Sequence, residues 1–231
     1  MNNHENRILD GINLIDDFGD NLHLSSEGHN DVEGYQIFTP NFIVNDMIKM
    51  IGLKAIMDIN NNILEPTSGD GAFTVRILEL RLKNLNNDNE FLIKALKGLS
   101  TIYSIELDRD LLLRQRSNLY SAFMNQVKNK SIQIHNRLVD LVKRIIVTNV
   151  IWGETNIREE FSKNNIIGWY MPLPMMKDTK HRDIPNYTKA EVIKFSRWNI
   201  NNDLSYTQVF EDAVFDNSID ETQIGGLFDE W

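Results

Sequence analysis

Cysteine is absent from this chain of 231 residues, which excludes disulfide scaffolds, thiolate zinc sites and cysteine nucleophiles. Its histidines, His4, His23, His29, His135 and His181, are scattered without metal-ligand spacing, so no metal is expected. No Gly-Lys-Ser/Thr follows a glycine turn, no complete Gly-x-Gly-x-x-Gly occurs, and no Gly-x-Ser-x-Gly elbow is present. Phosphate-loop, dinucleotide and serine-hydrolase readings therefore lose their sequence basis. No apolar run approaches the roughly 18 residues of a membrane span, and the polar N-terminus does not read as a signal peptide. A cytoplasmic protein without a membrane partner is the expectation. There are no internal repeats, and the length suits about one domain with a sizeable core.

The most informative stretch present is Ile63-Leu64-Glu65-Pro66-Thr67-Ser68-Gly69-Asp70-Gly71-Ala72-Phe73. Two apolar residues lead into an acidic residue, a proline and a glycine turn, and a helix opens with Phe73-Thr74-Val75-Arg76-Ile77-Leu78. Glycines let the backbone approach a ligand closely, and a helix N-terminus offers unpaired N–H donors. A nucleotide-like ligand fits; taken alone, the stretch also fits an ordinary strand–turn–helix junction.

Two flanking segments shift the balance. Upstream, Gln36-Ile37-Phe38-Thr39-Pro40 precedes Phe42, Ile43, Met47, Ile48, Met50 and Ile51, apolar at spacings of three and four. Thr39 is expected to N-cap a helix whose first residue is Pro40. Downstream, Thr101-Ile102-Tyr103-Ser104-Ile105 reads as a buried strand ending in Glu106-Leu107-Asp108. An acidic residue at the end of a second α/β strand commonly accepts hydrogen bonds from a ribose diol; a helix-capping carboxylate is the alternative. Helices are predicted near 40–57, 72–84, 89–98, 109–127 and 136–145, and strands near 62–65, 101–106, 146–152 and 165–171. The stretch from Asn84 to Gly98 reads as an inserted loop and helix that preserves the α/β alternation.

In this order the three segments resemble the class I S-adenosylmethionine-dependent methyltransferases, and most closely the DNA adenine-N6 methyltransferases of restriction–modification type. The resemblance spans roughly residues 35–155. It implies an α/β fold, a Rossmann-like methyltransferase sheet with flanking helices, and S-adenosyl-L-methionine as cofactor. Thr39 and Pro40 would lie against the methionine end. Glu65, Pro66, Thr67, Gly69 and Gly71 would form the pocket for its amino-acid and sugar parts, Glu106 would hold the ribose hydroxyls, and Leu107 would pack on the adenine. Glu154, after a strand ending at Trp152, falls where the family often has a polar residue touching the adenine; a plain surface turn is the alternative.

The chain departs from the family at the catalytic motif. Members carry Asp/Asn/Ser-Pro-Pro-aromatic after the fourth strand, where a polar side chain and a proline carbonyl grip the target amine and the ring stacks on a flipped base. No such tetrad occurs. Asn164-Asn165-Ile166-Ile167-Gly168-Trp169-Tyr170-Met171-Pro172-Leu173-Pro174 and Ile184-Pro185-Asn186-Tyr187 contain the residue types in another order. The favoured reading of both is a buried strand and a proline-containing loop, which leaves the catalytic residues unassigned. A full methyltransferase sheet would use nearly the whole chain and leave little for a target-recognition domain.

Charge divides the chain into three. Residues 1–34 carry −7, residues 35–197 carry +6 and residues 198–231 carry −8, giving −9 overall. The corresponding domains are an acidic polar arm over 1–34, a cofactor-binding domain over 35–200 and an acidic tail over 201–231. A mildly basic core is compatible with nucleic-acid contact, but a pI near 5.1 argues against tight DNA binding by this chain alone. The clusters Arg109/Arg114/Arg116, Lys128/Lys130, Lys143/Arg144 and Lys177/Lys180/Arg182 read more readily as solvated faces. Acidic ends with spaced aromatics (Phe210, Phe215, Phe228, Trp231) suit a protein partner, or a tail that covers the basic core.

Three readings follow. The first is a DNA adenine-N6 methyltransferase with a non-standard amine-gripping segment. The second is a catalytically silent cofactor- or DNA-binding subunit or regulator. The third is a small-molecule or protein methyltransferase that shares only the cofactor half. The first is favoured.

Overall fold

The computed structural model describes residues 3–22, 39–155, 167–172, 174–186 and 191–215. Among them the chain is mixed α/β, with seven helices and several small sheets. Its centre is a parallel sheet in the order β1 (Ile63–Glu65), β2 (Ile102–Glu106), β3 (Val150–Trp152). Helices α4 (Ala72–Asn84) and α5 (Phe91–Ser100) connect β1 to β2. Helices α6 (Arg109–Asn129) and α7 (Asn136–Asn149) connect β2 to β3. Parallel neighbours require such crossovers, and a uniform progression of strands places them on one face of the sheet.

The two faces of β2 follow from its alternation. Ile102 joins the large core formed with Leu78, Leu82, Leu96, Phe123, Val142 and other helix residues. Tyr103 and Ile105 face the other way, into a second cluster with Ile151, Ile193, Phe195 and Ala213. The Tyr103 hydroxyl donates to the Ser196 carbonyl there at 3.0 Å. That face is covered by the antiparallel pair β7 (Lys194–Ile200) and β8 (Tyr206–Asp212). The remaining short pairs are β4 (Ile167–Gly168) with β9 (Val214–Phe215), and β5 (Met175–Lys177) with β6 (Asp183–Pro185).

The N-terminal arm holds a helix, α1 (Asn3–Leu22). Ile8 and Ile15, one face apart by seven residues, are buried in the main core. Gly11 sits so close to α7 and α6 that an added Cβ would meet Val147 Cγ1 at 2.7 Å and Arg116 Nη1 at 3.1 Å. At the other end, the boundary expected at residue 200 falls at the tip of the β7–β8 hairpin, so residues 206–212 pair with the body of the protein.

Several element boundaries differ from expectation. The helix predicted over 40–57 breaks at Gly52 (φ 110°) into α2 (Asn41–Ile51) and α3 (Leu53–Met57). Thr39 does not cap it. Pro40 is the N-cap, and its carbonyl accepts from the N–H groups of Ile43 and Val44. Proline's fixed φ suits either position, and here the chain turns helical one residue later. Helix α7 runs on to Asn149 and shortens the strand predicted from 146 to Val150–Trp152. Of the strand predicted over 165–171, the described residues begin at 167, and among them the strand is Ile167–Gly168.

Two buried arginines hold the joints between layers. Arg81 on α4 donates to the carbonyls of Ile56, Gly98 and Asn61 and to Thr101 Oγ1, all within 2.7–2.9 Å. It thus fastens the end of α3, the approach to β1 and the end of α5 around one guanidinium. Arg116 on α6 donates to the carbonyls of Val147 and Val150, where α7 passes into β3, a favourable place for a cation. Burial depresses both guanidinium pKa values to about 10, still charged at neutral pH. Arg81→Met removes four hydrogen bonds and leaves the buried carbonyls of Ile56 and Gly98 without this donor, so urea unfolding should show a loss of about 3 kcal/mol or more. A loss below ~1 kcal/mol would contradict the clamp.

Candidate functional site

The glycine stretch forms the turn between β1 and α4. Gly69 (φ 57°) and Gly71 (φ 84°) both occupy the left-handed region, where an L side chain is strained. Gly71 is also hemmed in, because a Cβ there would meet Gln115 Cγ at 2.3 Å. The turn is tied to β2 by backbone and side chain. Ser68 N–H donates to the Ile105 carbonyl at 3.1 Å. Gly69 N–H donates to Glu106 Oε2 at 2.6 Å.

Gln115, fully buried on α6, lies beneath the turn. Its Oε1 accepts from the Ser68 hydroxyl at 2.7 Å, and its amide donates to Thr74 Oγ1 and Ser104 Oγ at 2.9 and 2.8 Å. A buried polar network of this kind fixes one arrangement because any slip leaves a group unmatched. Ser68 and Gln115 were not singled out from sequence. The readable signal was Gln115 in the apolar register of Leu111, Leu112 and Leu119 on α6.

Glu106 stands at the carboxyl end of β2, beside the turn. Its Oε1 accepts from Asp108 N–H at 2.8 Å while Oε2 accepts from Gly69. The helix-capping role falls to Asp108, whose carboxylate accepts from Asp110 and Leu111 N–H. Each Glu106 oxygen therefore has one backbone donor and a further lone pair available to a hydroxyl. Leu107 is half exposed, and its carbonyl accepts from Trp152 Nε1 at 2.8 Å. Gly153 N–H donates to the Glu106 carbonyl at 3.0 Å.

Glu65, at the end of β1, is held with one carboxylate oxygen, Oε2, buried and without a hydrogen-bond partner. Burial pushes its pKa up from 4.5 to about 8, opposed by a bond from Thr74 N–H and reinforced by the Asp70 and Glu106 carboxylates. A positively charged ligand group beside it would satisfy that oxygen.

The structure thus brings Glu65, Pro66, Thr67, Gly69 and Gly71 together with Glu106 and Leu107. Thr39 and Pro40 are exposed at the start of α2, with no hydrogen bond to the turn among the described residues. Their link to it is indirect, through Arg76 Nε on α4 donating to Asn45 Oδ1 on α2 at 2.8 Å. Glu154 is not a plain surface turn, since its backbone exchanges hydrogen bonds with Tyr170. Of the segment expected to grip an amine, Tyr170 also bridges to Val192. Its strip therefore lies outside β3, on the side of the sheet away from β1. Asn164, Asn165, Leu173 and Tyr187 lie outside the described residues, as do Gln36–Phe38, His23, His29, Phe228 and Trp231.

The basic clusters are partly consumed by structure. Arg144 pairs with Glu5 at 2.7 Å, Lys130 donates to the Leu85 carbonyl, and Lys143 lies over the Tyr120 ring. Among the described residues, no group of His, Asp and Glu is arranged to hold a metal, and no helix is long and apolar enough to cross a membrane. Comparison with protein families, curated proteins and solved structures finds no match.

Two outcomes test this geometry. Gly71→Ala should cost about 2–4 kcal/mol in urea unfolding, combining left-handed strain with overlap on Gln115. Because the overlap belongs to the pair, Gly71→Ala/Gln115→Ala should cost at least ~1 kcal/mol less than the sum of the single changes. Strict additivity would contradict the packing. For Glu65, the raised pKa means the folded state keeps a proton that the unfolded state releases between pH 4.5 and about 8. Its stabilising contribution is complete below pH 4.5 and disappears as pH rises through 8, with a slope of up to ~1.4 kcal/mol per unit. Glu65→Gln should flatten the fall in unfolding free energy between pH 5 and 8; an unchanged slope would contradict the assignment.

Proposed function

We propose that this chain binds S-adenosylmethionine at the turn after β1 and serves methyl transfer to DNA, with adenine N6 as the acceptor class. The observation that carries the reading is the meeting of the glycine turn with the Glu106 carboxylate at the carboxyl ends of two adjacent parallel strands. Ligands of open α/β sheets bind outside such strand ends.

The residues present fit the cofactor. Glu106 has lone pairs for both ribose hydroxyls, the buried Oε2 of Glu65 suits the ammonium group, and exposed Leu107 offers an apolar surface to the adenine. The Gly69 and Gly71 positions keep side chains out of the approach. When bound, the cofactor supplies an electrophilic methyl group for in-line displacement by an amine. The chain's own part is to orient and to exclude alternatives: Gln115 and Ser68 fix the turn, and Glu106 sets the ligand against it.

A second reading, a catalytically silent cofactor-binding subunit, is favoured by one specific observation. The Trp169–Pro172 strip packs outside β3 rather than beside β1, so it does not lie next to the glycine turn.

Calorimetry with S-adenosylhomocysteine and transfer of labelled methyl to adenine-containing DNA separate the readings. Binding that weakens at least tenfold in Glu106→Ala, together with labelled N6-methyladenine, is the expected result. Binding without transfer would overturn the DNA methyltransferase reading. No binding by the unaltered chain would overturn both.

A further inference from the structure

A cleft of about 660 Å³ opens on the other side of β3, between α1, the start of α6, the residues Met171, Pro172 and Pro174, and the segment 191–194. That volume lies within the roughly 300–1,000 Å³ of ligand-holding pockets. Its floor is apolar, built from Ile8, Leu112, Val147, Ile151 and Ile193, all buried. Its walls carry Arg7, Arg109, Arg116 and Lys194 against Asp10 and Glu191, a net excess of cations.

Two of those cations have neutral partners. Arg116 is spent on the carbonyls of Val147 and Val150, and Arg109 lies 6.0 Å from the centre of the Trp152 ring. Arg7 and Lys194 pair with Glu191 and Asp212 at the half-exposed rim, where such pairs contribute little and readily share another carboxylate. Among the described residues, the cleft therefore offers an apolar floor beneath a net positive charge.

Residues 216–231 have the complementary chemistry. They contain Asp216, Asp220, Glu221, Asp229 and Glu230 with no Lys or Arg, interleaved with Ile219, Ile224, Leu227, Phe228 and Trp231. The described chain reaches them from beside the cleft: Ala213 N–H donates to the carbonyl of Ile193, which forms part of the floor, and Val214–Phe215 pair with β4. Sixteen residues can span up to ~50 Å, ample to turn back from Phe215.

We infer that the acidic segment 216–231 docks in this cleft, its apolar side chains on the floor and its carboxylates toward Arg109, Arg116 and the rim. This inference is independent of the cofactor reading. Docked there, the segment would cover cationic surface that a phosphate backbone would otherwise meet.

The test is a photo-crosslinking amino acid in place of Phe228 in the full chain, with crosslinks mapped by mass spectrometry. Crosslinks within one molecule to residues 3–15, 109–116 or 191–194 are expected. Replacing the five tail carboxylates by amides should lower their yield at least threefold. Four outcomes would overturn the inference: crosslinks between two chains, crosslinks to other surfaces, no crosslinks, or a yield indifferent to the carboxylates.

Discussion

The bond between the Gly69 amide and the Glu106 carboxylate joins the ends of two parallel strands, and the geometry of the candidate site depends on it. With Asp108 N–H on the other oxygen, the carboxylate is fixed in position before any ligand arrives. A charge-assisted bond of 2.6 Å at the edge of the core is stronger than a neutral one. It is possible only because the backbone at Gly69 turns left-handed and presents its N–H toward β2. Preorganisation of this kind lowers the ordering cost of binding.

Behind that bond lies a layered support. Gln115 holds Ser68, Thr74 and Ser104 with one amide side chain. Arg81 and Arg116 hold the joints where helices enter and leave the sheet. All three are polar residues inside a largely apolar helical layer, and each is satisfied mainly by backbone or hydroxyl groups. Such groups constrain the fold most through what their removal would leave unmatched.

Much of this was legible in the sequence. The strand–turn–helix at 63–73, the strand ending in Glu106 and the helices at 72–84 and 109–127 all correspond to elements of the structure, because their periodicity and turn residues are strong local signals. The misplaced boundaries have local causes: Gly52 splits an apolar helical run, and the β-branched residues Ile146 and Val147 read as strand yet stay helical against the core. What was not legible is tertiary. Ser68 and Gln115 gain their role from a contact across 47 positions, and the docking of α1 rests on the fit of Gly11 against Val147 and Arg116.

The most direct test of the central claim is a titration of the isotopically labelled protein with S-adenosylhomocysteine, followed by amide NMR. The amides of Gly69 and Asp108, the two donors to Glu106, are expected to show the largest shifts, with Gly71 close behind. Largest shifts among Arg109, Ile193 and Lys194, or no shifts at saturating ligand, would contradict it.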